Sequence, residues 1–197
     1  NRIARVIRDR EANGKKTVLS LASGRSMRDL FVELVRLHKE DGLSFKNVII
    51  FGAYEFYPLN DSSLGSMAQI RSQLLAHIDI LPENVHTFPG DLPKETVFAF
   101  CEEYEKAIVE AGGIDIQVLG IGQCGNIAMN EPGTQPNSST RLVIMDGNSR
   151  VDVKSLFGNV TQVPTCAITL GIDTILQAKE VILLAFGQHK AGILKQA

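Results

Sequence analysis

Three short segments carry the residues whose types and spacing could do chemistry. The first is Ser23-Gly24-Arg25-Ser26, between an apolar run and an amphipathic one. A helix opening there offers free N–H groups and a partial positive charge, which suits a phosphate, and the hydroxyls and Arg25 add donors. The competing reading is an ordinary capping box, Ser26 with Asp29 three residues on. The second is Gly120-Ile121-Gly122-Gln123-Cys124-Gly125, which matches G-x-G-x-x-G, with Asp146 about 20 residues further on as a dinucleotide fingerprint asks. That fingerprint needs a helix directly after the glycines, and Asn130-Glu131-Pro132-Gly133 interrupts one. Nucleotide binding is therefore disfavoured.

The third segment is Gly187-Gln188-His189-Lys190. Lys190 could reach a phosphate at a sheet edge, or it could be a solvated helix lysine. His189 could titrate near neutral pH, or simply be a polar residue in a first turn. A nucleophilic Cys124 would need a nearby cation or base to hold its thiolate, and no histidine is close to it in sequence. It reads better as an incidental small residue. His38, His77 and His86 make no pair with metal-ligand spacing. Neither Gly-x-Ser-x-Gly nor H-E-x-x-H occurs.

These segments need elements to position them. Residues 17–22, 47–51, 85–88, 114–119, 141–145, 166–170 and 180–186 read as strands, and 27–39, 66–77 and 94–111 as helices. Residues 120–140 are rich in Gly, Asn, Pro and Ser and read as a long loop. Near-continuous apolar strands alternating with helices predict an α/β fold: a Rossmann-like, doubly wound, mostly parallel sheet with helices on both faces. Ligands of such sheets bind beyond the carboxyl ends of the strands, so the loops 23–26, 52–59, 120–133 and 187–190 matter most.

Composition narrows the function classes. Among 197 residues, 44% are hydrophobic and 21% charged, enough for one sizeable core and too little polarity for disorder. A net charge of −2 supplies no field for a nucleic-acid backbone. The three cysteines, Cys101, Cys124 and Cys166, are odd in number and far apart, which argues against a disulfide scaffold and for a reducing compartment. Without an apolar run of about 18 residues, no membrane span is expected. No signal peptide is visible, so a cytoplasmic location is expected. Residues 1–11 and 190–197 both read as helices, so the single domain 1–197 is expected to be trimmed at both ends.

The segment Leu119-Gly120-Ile121-Gly122-x-x-Gly125-Asn126-Ile127-Ala128-Met129-Asn130-Glu131-Pro132-Gly133 resembles the signature of glucosamine-6-phosphate deaminases (isomerases), roughly G-x-G-x-D-G-H-I-A-F-N-E-P. The Asn-Glu-Pro is specific; the related 6-phosphogluconolactonases share the glycines and D-G-H but not usually N-E-P. Residues 21–26 are similar to the family's phosphate loop L-P-T-G-x-T, and 43–48 precede the second strand as in the family. Glu55 and Leu59 follow that strand. Val163-Pro164 with Ala167-Ile168-Thr169-Leu170-Gly171 is similar to V-P-x-x-A-L-T-x-G, and 187–191 to G-x-x-K-A. The resemblance covers nearly the whole chain. It implies phosphate binding at Ser23, Gly24, Arg25, Ser26 and Lys190.

The resemblance also implies a chemistry. The family opens the ring of an amino-sugar phosphate, moves a proton between C2 and C1, and releases ammonia to leave fructose 6-phosphate. A carboxylate moves the proton, a histidine oriented by an aspartate and a glutamate assists ring opening, and no metal or organic cofactor takes part. Here Tyr54, before Glu55, stands where the family has its carboxylate. Asn126 replaces the histidine and Cys124 its orienting aspartate, while Glu131 is kept. Ser155, next to Lys154, stands where the family has a phosphate-binding arginine, and Arg141 where it has a basic residue of an allosteric phosphate site.

A phenol of pKa about 10 is a poor base at neutral pH. An amide does not titrate. One acid–base group is worth roughly 10²–10⁴ in rate. Glu55 is the nearby carboxylate, but strand alternation turns it away from Tyr54. Three readings follow. One is a weakened deaminase using Glu55, Glu131 or His189. Another is a non-catalytic sugar-phosphate-binding or regulatory module. A 6-phosphogluconolactonase-like hydrolase is a third. The partners expected are a hexosamine phosphate or other sugar phosphate, further copies of the chain, and a fused second domain, with neither nucleic acid nor membrane.

Overall fold

The computed structural model describes residues 2–196. In chain order the elements are α1 (Arg2–Ala12), β1 (Thr17–Leu21), α2 (Arg28–Asp41), β2 (Val48–Gly52), β3 (Tyr54–Tyr57), α3 (Ser66–Gln73), β4 (Val85–His86), α4 (Val97–Glu110), β5 (Ile116–Gly120), β6 (Arg141–Ile144), α5 (Gly147–Phe157), β7 (Cys166–Thr169), α6 (Ile172–Leu176), β8 (Glu180–Leu184) and α7 (Ala191–Gln196). Asn1 and Ala197, read above as helical, lie outside the described residues.

The principal sheet is parallel, in the order β4-β2-β1-β5-β8. Every residue of β1 and β2 is buried, because helices cover one face and further structure covers the other. Alternation along β1 feeds both layers. Leu19 and Leu21 pack with Ile3 and Ile7 of α1 and Phe31 and Leu34 of α2. Val18 points into the opposite core, with Cys101, Tyr104 and Ile108 of α4. The expected doubly wound α/β fold is thus present.

Two features of the sequence reading change. Strands β6 and β7 form, but with β3 they make a separate antiparallel sheet, β3-β7-β6, rather than joining the parallel one. The segment 52–59, read as a loop, contains β3, whose four residues are all buried. Ala53 is the crossing point: its N–H donates to Leu21 O at 2.9 Å, and its carbonyl accepts from Leu170 N at 2.9 Å. It ties the two sheets together directly behind the end of β1. Helix α5 also lay unread; Asp146 caps it by accepting from Asn148 N at 2.8 Å.

At the amino end of the sheet, the buried Asp115 accepts from Val18 N at 2.8 Å, from Lys179 Nζ at 2.7 Å and from Arg10 at 3.1 Å. It staples α1 and the approach to β8 onto β1. No described helix is long and apolar enough to cross a membrane.

Candidate functional site

The parallel strand order reverses between β1 and β5: the chain runs outward through β2 and β4, then returns to build β5 and β8 on the other side. A cavity of about 390 Å³ opens at the carboxyl ends of β1, β5 and β8, where such a reversal leaves a crevice. The β1 loop supplies Ser23, Gly24, Arg25 and Ser26, and the β8 loop supplies Phe186, His189 and Lys190.

Both loops use one backbone device. Gly24 (φ 115°) and Gly187 (φ 87°) each take a conformation that L side chains avoid, and each opens a 3-10 turn that runs into a helix. No side chain caps the turn at Arg25–Met27, and none caps α2. The Ser26–Asp29 capping box is therefore not formed, and the residues of that uncapped turn line the cavity. The dinucleotide reading also lacks its helix: after Gly120-x-Gly122 the chain folds back on itself, with Gly122 N donating to Asn126 O at 2.9 Å.

Lys190 is 8% exposed and lines the cavity; its backbone N–H donates to Gly187 O at 3.1 Å, but its side chain makes no hydrogen bond or ion pair with any described residue. Tyr54 also lines it, with its hydroxyl 2.8 Å from Ser23 Oγ. Burial pushes the Tyr54 phenol above its usual pKa, and the neighbouring Glu55 carboxylate adds to the rise, against the Ser23 hydrogen bond. Asn126 Nδ2 donates to Ala128 O at 3.1 Å, while its Oδ1 is buried without a partner at the cavity wall. A side chain at residue 122 would collide with that Oδ1, so Gly122 is what lets Asn126 lie there.

The remaining candidates sit elsewhere. Glu55 points away, accepting from Phe56 N at 2.9 Å, Ser66 N at 2.7 Å and Met67 N at 3.0 Å, so it caps α3. Burial outweighs those bonds and raises its pKa. Glu131 is half-buried and accepts from Asp146 N at 3.2 Å, outside the cavity lining. Cys124 is also off the wall. Burial raises its thiol pKa, as do Asp152, Glu131 and Asp146, while Lys190 pulls it down. Ser155 lines the cavity and Lys154 does not. Arg141 is spent on the fold, donating to Asn130 Oδ1 at 2.9 Å, while Asn130 Nδ2 donates to Leu170 O at 2.8 Å. The signature asparagine is thus a clamp between its own loop and the antiparallel sheet. Among the described residues, no cluster of His, Cys, Asp and Glu could hold a metal ion.

Asp29 and Asp152 also line the cavity. Asp152 escaped the sequence reading because α5 did; the spacing of Asp152 and Ser155, three apart after a capping Asp146, was the available signal.

A family profile described as glucosamine-6-phosphate isomerases/6-phosphogluconolactonase matches residues 1–197. A putative glucosamine-6-phosphate deaminase-like protein of Bacteroides thetaiotaomicron is 46% identical over 195 residues, covering 98% of this chain and 29% of that much longer protein. A glucosamine-6-phosphate deaminase of Bacillus pumilus is 39% identical over 198 residues, covering 98% of this chain and 78% of its own. Among solved structures, a monomeric glucosamine-6-phosphate deaminase superposes with a TM-score of 0.90 at 32% identity, over 98% of this chain and 80% of that one. A 6-phosphogluconolactonase from Thermotoga maritima, with a TM-score of 0.73 at 22% identity over 98% and 83% of the two chains, shares the fold.

Proposed function

The chain belongs to the glucosamine-6-phosphate isomerase and 6-phosphogluconolactonase family, and from that premise we propose that it is a hexosamine-phosphate-binding domain whose deaminase turnover is slow or absent. The observation that carries this reading is Lys190, a lysine largely buried in the cavity wall whose side chain makes no hydrogen bond or ion pair with a described residue. An anion seated beside its ammonium would gain a charge-assisted hydrogen bond that no protein group now supplies. The uncapped turn at Gly24, Arg25 and Ser26 faces the same space and adds N–H and hydroxyl donors.

At the positions of the family's proton-transfer groups the cavity carries side chains that do not transfer protons near neutral pH. At the place of the family's base stands Tyr54, whose phenol is held above its ordinary value by burial and is hydrogen-bonded to Ser23. Asn126 can orient a sugar hydroxyl but cannot carry a proton. Glu55 is committed to α3, and Glu131 to the backbone of Asp146. A second reading, residual turnover, rests on His189, an imidazole on the cavity wall.

Calorimetry tests the binding. Glucosamine 6-phosphate should bind and unphosphorylated glucosamine should not, and Lys190→Met should weaken the phosphate sugar by roughly 30-fold or more, as for a desolvated charge pair. Release of ammonia and fructose 6-phosphate at an ordinary enzyme rate, about 10 per second, would overturn the proposed loss of turnover.

A further inference from the structure

We propose that Asp152 selects a free amine: its carboxylate pairs with the ammonium of an amino-sugar phosphate whose phosphate is held at Lys190. This rests on the sugar-phosphate reading above and adds a specificity residue to it.

The cavity is lined by two cations, Arg25 and Lys190, and two carboxylates, Asp29 and Asp152, and none of them forms an ion pair with a described residue. Charges of both signs left open around one cavity fit a ligand that itself carries both. Arg25 and Asp29 come from one segment, whereas Lys190 comes from the β8 loop and Asp152 from α5. Both lie within electrostatic reach of Cys124, on which they act in opposite directions.

Asp152 is fixed for such a contact. Its Oδ2 accepts from Gln123 N at 3.2 Å, which ties α5 to the glycine loop, and its Oδ1 has no protein donor among the described residues. One turn along the helix, Ser155 lines the cavity and brings no charge, while Lys154 lies off the lining, so no cation of α5 that lines the cavity competes for the carboxylate. A half-buried carboxylate near a phosphate site repels a purely anionic ligand. It gains a charge-assisted hydrogen bond only from a ligand with an ammonium group. An N-acetylated or neutral sugar phosphate lacks that group.

The experiment is calorimetry of the wild-type chain and Asp152→Asn with glucosamine 6-phosphate, glucose 6-phosphate and N-acetylglucosamine 6-phosphate. Asparagine keeps the acceptor for Gln123 N and removes the charge. The wild type should prefer the free amine by about tenfold, the size of one charge-assisted hydrogen bond in a half-buried site. Asp152→Asn should erase the preference by weakening glucosamine 6-phosphate alone, and Asp152→Glu should retain part of it. In the wild type, raising the pH until the sugar amine is neutral should also abolish the preference, a readout that needs no variant. Wild-type protein that binds all three sugars equally, or an Asp152→Asn variant that keeps the preference, overturns the inference and leaves the sugar-phosphate reading standing. Failure to bind any of the three overturns both.

Discussion

Tyr54 and Asn126 both line the cavity, at the positions where the resemblance to the deaminases puts a carboxylate and a histidine, and neither side chain exchanges a proton near neutral pH. Tyr54 is tied to Ser23, with its ring against Phe56. Asn126 keeps its Oδ1 buried against Gly122 without a partner. Tyr54→Asp, Cys124→Asp and Asn126→His made together should therefore raise ammonia release from glucosamine 6-phosphate by roughly 10²-fold or more, the worth of one restored acid–base group. Single changes should do much less, since such groups act as a unit. A triple variant that binds the sugar and stays at the parent rate would show that the defect lies elsewhere, with Ser155 the next candidate.

Among the elements, β3 does the most to divide the roles of neighbouring residues. Strand alternation sends Tyr54 to the cavity and Glu55 to the amino end of α3. Glu55 takes three backbone N–H groups on two oxygens. In Glu55→Gln, the amide NH₂ replaces one acceptor and leaves a buried N–H unpaired, at a cost of about 1–3 kcal/mol by urea denaturation. The pH dependence has a definite sign. Burial holds the folded Glu55 above its ordinary 4.5. As pH rises from there, the unfolded chain gives up the proton first, so the folded state loses stability through the window up to the raised value. Glutamine does not titrate. The margin of the wild type over Glu55→Gln should therefore shrink as pH climbs through that window. A margin that grows would contradict the burial of this carboxyl.

At the scale of the whole molecule, the sheet separates a stabilising charge cluster from the cavity. Asp115 holds α1, β1 and the approach to β8 together at the amino end, one full strand length from the cavity at the carboxyl end. Asp115→Ala leaves the buried Val18 N–H without its acceptor and should lower unfolding stability by about 2–4 kcal/mol, while leaving sugar-phosphate affinity in the folded protein unchanged. Its partners Arg10 and Lys179 are 28% and 55% exposed and can rehydrate, which keeps the loss from being larger. An affinity that falls along with stability would show the two ends of the sheet to be coupled.

The sequence alone determined the layered fold and the loops that bound the cavity. Apolar runs such as those of β1 and β2 are too uniformly hydrophobic for anything but a covered parallel strand, and the glycines at 24 and 187 mark turns that only a residue without a side chain makes cheaply. It also determined which side chains can titrate, since that is a property of residue type. Only the tertiary structure decided that Ser26 and Asp29 leave their helix end open, that Glu55 and Asn130 are spent on the fold, and that the Lys190 side chain lines the cavity without a protein partner among the described residues. Those outcomes depend on which groups from distant segments arrive within hydrogen-bond reach. Asp152 shows the limit most clearly: its own helix gave a weak apolar pattern, and only the packing of α5 against the glycine loop brings its carboxylate to the cavity.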